Sequence, residues 1–91
     1  MLGVAHFTAR RFDQAIAAFE RSTTMPLWIK VYLAACWALR GDISRSQNYK
    51  VGVLALAPRF SARSFVQRET FKRVEHRELL YDGIIKAGLP A

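Results

Sequence analysis

The chain has 91 residues, enough for one small domain and too few for a second. Its composition, 52% hydrophobic against 23% charged, excludes a disordered chain. Fourteen Lys and Arg against seven Asp and Glu give a net charge of +7, which suits acidic partners such as nucleic acid, acidic lipid or acidic protein, or plain solubility. The longest apolar stretch, Val31 to Leu39, covers nine residues, against the roughly 20 that a membrane-spanning helix needs. Cys36 is the only cysteine and sits in that stretch, so it reads as a buried structural thiol. With no disulfide framework, and with the N-terminal apolar residues broken by His6, Thr8, Arg10 and Arg11, the expected location is cytoplasmic.

In chain order, Leu2 to Ala9 has helical composition but lacks an N-cap residue before it, as if the chain began inside a helix. Arg10 and Arg11 form a turn. Phe12 to about Thr23 reads as a second helix with Phe12, Ala15, Ile16 and Phe19 in one apolar stripe, and Asp13 and Glu20 on other faces. Residues 22 to 26 form a break. Leu27 to Arg40 is apolar almost all round, the pattern of a helix sandwiched between neighbours. Gly41 ends it, Asp42 caps a fourth helix from Ile43 to Leu56, and Pro58 closes that one. Ser61 caps a short helix through about Arg68. The segment from Thr70 to Val74 looks irregular. A last helix over Glu75 to Lys86 carries Leu79, Leu80, Ile84 and Ile85 as its stripe and stops at Gly88 and Pro90.

Two segments match at an offset of 31 residues: Leu2-Gly3, His6, Ala15 and Phe19 against Leu33-Ala34, Trp37, Ser46 and Lys50. This order resembles the tetratricopeptide repeat, a helical hairpin of about 34 residues. The small residues Gly3 and Ala34, facing Ala15 and Ser46, allow paired helices to approach closely. His6 and Trp37 fill the space between helices, and Phe19 packs toward the next one. Lys30 and Lys50 depart from the repeat, which favours aromatics at those places. The expected fold is therefore all-α: antiparallel hairpins in about two repeats, with a first unit over 1–25 that is truncated at its start, a second over 26–58, and a capping tail over 59–91.

The tail Leu80-Tyr81-Asp82-Gly83-Ile84-Ile85-Lys86-Ala87-Gly88-Leu89-Pro90 resembles an ending that follows tetratricopeptide repeats in bacterial class III adenylate cyclase-like proteins. Ala5-His6-Phe7 and the segment Arg10 to Ile16 are similar to their penultimate unit. Tyr32 to Ala35 with Gly41-Asp42 is similar to their last, and Phe71-Lys72-Arg73 with Glu75-His76-Arg77 to the approach to their final helix. The resemblance implies a regulatory or scaffolding tail, or a free-standing relative of one. Nothing in the chain resembles the cyclase domain itself.

The residues offer no chemistry. His6 and His76 lie far apart with no ligand-spaced Cys or carboxylate, so no metal or cofactor is expected. Glu75, Glu78 and Asp82, beside Arg77 and Lys86, fit surface ion pairs. No phosphate loop or nucleophile turn is present, and no catalytic residue is assigned. Two surfaces remain. The first helices of the two units would line a candidate groove of Val4, Phe7, Thr8, Trp28, Val31, Ala35 and Leu39, suited to a helix, an extended peptide, the chain's own last helix or a second copy. A candidate basic patch of Arg59, Arg63, Arg68, Lys72, Arg73 and Arg77 alternates with Phe60, Phe65 and Phe71, which would either stack on single-stranded nucleic acid or anchor the tail over the repeats. The expected function is a non-catalytic protein-interaction or scaffolding module that docks a protein or peptide partner or forms a homo-oligomer; the alternative is a basic nucleic-acid-binding module.

Overall fold

A computed structural model describes residues 2–69 and 73–91, with Leu2 described in its backbone only. It contains α1 (Leu2–Thr8), α2 (Phe12–Glu20), α3 (Leu27–Arg40), α4 (Ile43–Leu56), α5 (Ala62–Arg68) and α6 (Val74–Lys86). The helix-forming stretches and their order follow the apolar periodicity. The largest displacement is at the end of α2, expected near Thr23 and observed at Glu20. There the Ser22 hydroxyl donates to the Thr24 carbonyl at 2.6 Å, a local bond that competes with helix continuation. Most of the segment expected to be irregular, including Phe71 and Lys72, lies outside the described residues.

Local chemistry sets the ends. The Asp42 carboxylate accepts from the Arg45 backbone N–H, and the Ser61 hydroxyl accepts from that of Ser64, so both residues cap helices as their positions suggest. Three helices stop in the same way, on a residue with positive φ: Arg10 (62°), Gly41 (97°) and Gly88 (87°). At each, two backbone N–H groups bond back across the last turn: Arg10 and Arg11 to Phe7 and His6, Gly41 and Asp42 to Ala38 and Trp37, Gly88 and Leu89 to Ile85 and Ile84. This is the Schellman arrangement, which satisfies carbonyls that a helix end leaves unpaired. Glycine reaches that backbone region freely, whereas Arg10 bears a Cβ strain there.

α3 is the centre. Every residue from Val31 to Ala38 is buried, and α2, α4 and α6 all pack on it. α1 pairs with α2, and α3 with α4, as antiparallel neighbours. Between α3 and α4 the buried Ser46 hydroxyl donates to the Ala34 carbonyl at 2.8 Å, so a small polar residue fits the close approach with its bond satisfied. In the first hairpin Gly3 does the equivalent: a Cβ there would lie 2.8 Å from the Phe19 ring. The two lysines that stand at aromatic positions lay their carbon stems on glycines, Lys30 beside Gly52 and Lys50 beside Gly88.

The tail lies over α3. α6 lays Gly83 against Ala35 and Leu39, and the Ala62 N–H at the start of α5 donates to the Pro90 carbonyl at 2.8 Å. Within the stripe expected on α6, Leu79, Leu80 and Ile84 are buried, but Ile85 is 39% exposed and Gly83 takes the contact position instead. On α4, Val51 and Leu56 are left uncovered, 67% and 58% exposed. Among the described residues no helix is long and apolar enough to cross a membrane.

Two sets of substitutions check this packing. Arg10→Gly relieves the positive-φ strain and is expected to raise stability by about 0.5–1 kcal/mol in chemical denaturation. Gly83→Ala would bring a Cβ to 2.8 Å from the Ala35 Cβ and 3.2 Å from the Ala35 carbonyl oxygen. It is expected to destabilise by about 1–3 kcal/mol despite alanine's better helix propensity. Gly52→Ala, which meets only the movable Lys30 side chain at 3.4 Å, is expected to stabilise by about 0.5–1 kcal/mol.

Candidate functional site

The residues expected to line a first-helix groove divide between interior and rim. Phe7, Val31 and Ala35 are fully buried, while Val4, Thr8, Trp28 and Leu39 are half-buried. Their cover is the chain itself. α6 sits on Ala35 and Leu39. Phe7 meets the rings of Phe12 and Tyr32 at centroid distances of 5.9 and 5.2 Å. Trp28 packs edge-on against Phe19 and Tyr32. Tyr32 is the hub of these rings and also meets Phe65 of α5 at 6.3 Å. Burial, with the Glu69 carboxylate just beyond α5 second, holds the phenol far above its ordinary range. Burial raises the Glu69 carboxyl as well, with Tyr32 opposing that rise. Sequence reasoning missed this neighbour because no spacing rule links positions 32 and 69.

The basic patch does not gather on one face. Arg59 and Arg68 line a cavity of about 500 Å³ with Leu27, Phe60 and Phe65, between the start of α3 and α5. Arg63 and Arg77 line another of about 330 Å³ between α5 and α6, facing Tyr81, Glu78 and Asp82. Arg73 pairs with Glu75 at 3.7 Å. Lys72 and Phe71 lie outside the described residues. Phe60 is buried and Phe65 half-buried, with their rings 5.7 Å apart, which makes them anchors of the tail.

A third concavity, of about 560 Å³, has α3 as its floor and α2 and α4 as its walls. Asp13, Ile16, Ala17 and Glu20 face Arg45, Asn48 and Tyr49 across Trp37 and Arg40. The walls are cross-braced: Arg40 pairs with Asp13, and the Tyr49 hydroxyl donates to Glu20 at 2.8 Å. The Arg40 and Arg45 guanidiniums lie over the Trp37 ring, 5.4 and 4.8 Å from its centroid. Trp37 is 7% exposed, and its indole N–H is the one buried side-chain polar group among the described residues that lacks a hydrogen-bond partner. Leaving such a donor unpaired costs about 1–3 kcal/mol. The sequence carried the parts of this site, a tryptophan with arginines three and eight residues on, but the α3–α4 turn that folds Arg45 back over the ring decides their meeting.

Among the described residues no group of three or more His, Cys, Asp or Glu could hold a metal ion. The His6 Nδ1 accepts from Arg11 at 3.0 Å. Cys36 is fully buried, and desolvation pushes its thiol up to about 12, which leaves no thiolate to act as a nucleophile near neutrality. No protein-family model matches the chain, and no curated protein or solved structure matches it significantly.

The raised groups give a pH test. Cys36 is held up to about 12, as is Tyr49 by burial and the bond to Glu20, with Tyr32 higher still. In the unfolded chain these groups ionise at their ordinary values, about 8.5 for Cys and 10 for Tyr. The unfolded state therefore releases protons that the fold retains as pH climbs. The contribution is fully present below about pH 8.5 and is lost progressively toward pH 12. Urea midpoints measured across that range are expected to fall steadily, with Cys36→Ser flattening the earliest part of the decline.

Proposed function

We propose that this chain is a non-catalytic protein-interaction module of tetratricopeptide type, two hairpins with a helical tail. The observation that carries the proposal is the matched construction of its hairpins. Arg10 and Gly41, 31 residues apart, hold the same left-handed turn with the same pair of backbone bonds. Phe12 and Ile43, at the same offset, open the helices that follow. Such repeats offer surface, and reactive side chains are not part of their design. Exposed apolar residues on α4, Ile43 at 45% together with Val51 and Leu56, favour self-association. A link to class III adenylate cyclase-like proteins, as a regulatory tail or a relative of one, rests on the likeness of segment 80–90, of Ala5 to Phe7 and Arg10 to Ile16, of Tyr32 to Ala35 with Gly41-Asp42, and of the approach to the last helix.

The alternative is a basic nucleic-acid-binding module. Exposed Arg59, Arg63, Arg68, Arg73 and Arg77 favour it, but the Phe60 and Phe65 rings are engaged with the tail and core. Sedimentation equilibrium over a wide concentration range is expected to reveal reversible dimerisation; a monomer at every concentration would contradict the self-association. Titration with a single-stranded oligonucleotide is expected to give no tight complex. Binding with a steep dependence on salt would replace the interaction module with the alternative.

A further inference from the structure

The turn between α4 and α5 leaves an apolar hollow whose charges are of one sign. The Phe60 N–H bonds back to the Ala57 carbonyl at 3.0 Å, and Phe60 is carried inward to 7% exposure while its neighbour Arg59 stays in solvent. On α5, Arg68 follows Ser64 by four residues and Phe65 by three, so the three share one helix face. That face, the turn and Leu27 at the start of α3 border the cavity of about 500 Å³. Leu27, Ala57, Phe60 and Phe65 make its lining largely apolar. Its charged members are Arg59 and Arg68, and no Asp or Glu side chain lines it. Among the described residues neither guanidinium has an ion-pair partner. Glu69, next to Arg68 in sequence, is a neighbour of Tyr32 and lies outside the lining. The Ala91 oxygen, which accepts from the Ser61 hydroxyl at 3.1 Å, lies outside it too.

We propose that this cavity binds a small amphipathic carboxylate, with its apolar body against Leu27, Phe60 and Phe65 and its anionic head on Arg59 and Arg68. The size lies within the roughly 300–1,000 Å³ of small-molecule sites, and a mostly apolar lining with a few polar groups is their usual make-up. The charge selection comes from the lining itself, because two guanidiniums stand there without a carboxylate to neutralise them. Guanidinium forks match the plane of a carboxylate and take it in paired hydrogen bonds. Both arginines are exposed, so the head reaches them from solvent. The Ser64 hydroxyl, on the same face of α5, adds a donor. A nucleic-acid strand fits less well. It needs a continuous basic track and rings free to stack, whereas Phe60 and Phe65 pack on one another and Arg63 and Arg77 line a different cavity. An alkyl chain and an aromatic ring both suit the apolar lining, and the test separates them. The site is independent of the self-association.

The test uses the intact chain, ¹³C-labelled at its Leu and Val methyl groups, titrated with octanoate and with naphthoate. Octanol and naphthol supply the same bodies without the charge, and acetate supplies the head without a body. The Leu27 methyl signals are expected to move and saturate with at least one of the two amphipathic carboxylates, while those of exposed Val51 on α4 stay in place. The carboxylate that saturates at the lower concentration identifies the body. The neutral analogues and acetate are expected to bind roughly fivefold more weakly or worse. Arg59→Gln and Arg68→Gln, at exposed positions, are expected to keep the thermal midpoint and to weaken binding by about fivefold each. Ser64→Leu, at an exposed position that serves the α5 cap only through its backbone N–H, fills the space and is expected to abolish binding. Stationary Leu27 signals, equal movement of Val51, equal affinity for the neutral analogues, or unchanged affinity in both arginine variants or in Ser64→Leu would overturn the site. Acetate saturating as the larger carboxylates do would overturn the amphipathic ligand. Failure here with dimerisation intact in sedimentation would remove this site and leave the interaction module standing.

Discussion

Covering α3 on every side is the constraint on which the rest of the structure depends. A helix whose residues from Val31 to Ala38 are all buried cannot rest against one partner. It needs neighbours around its circumference, and this short chain supplies them from both directions: α2 before it, α4 and α6 after it. The close approaches follow from that demand. Ser46 meets Ala34 with a buried hydrogen bond, and Gly83 meets Ala35 where any side chain would collide. The ring cluster around Tyr32 then fills the wider end, where α1, α2 and α5 converge.

That arrangement bears on function. α6 covers α3 along Ala35 and Leu39, so the chain's own tail closes that side of the central helix. Left uncovered is the braced groove between α2 and α4, where two guanidiniums and two carboxylates face one another across Trp37.

Much of the fold was legible in the sequence because its signals are local. Gly41, Asp42 and Ser61 act through bonds that span a few residues, and the all-round apolarity of Leu27 to Arg40 announces a central helix by itself. The partner of α6 was not legible. Leu79, Leu80 and Ile84 show that the helix has a buried face without showing what it buries against. The Gly83–Ala35 contact that settles the question joins positions far apart in the chain. For the same reason the first-helix groove could be listed residue by residue while its occupant could not. The Trp37 site was invisible for a different reason: its residues look like a core ring and ordinary surface arginines until the α3–α4 turn brings Arg45 back over the indole.

Native-state hydrogen exchange measures the central role of α3 most directly. Amides of α3 from Val31 to Ala38 are expected to exchange only through global unfolding and to be the slowest in the chain, with those of α6 next to them in protection. Exchange in α3 as fast as in α1 or in the exposed part of α4, or loss of α6 protection under conditions where α3 is unaffected, would contradict a fold built around one helix that α2, α4 and α6 cover.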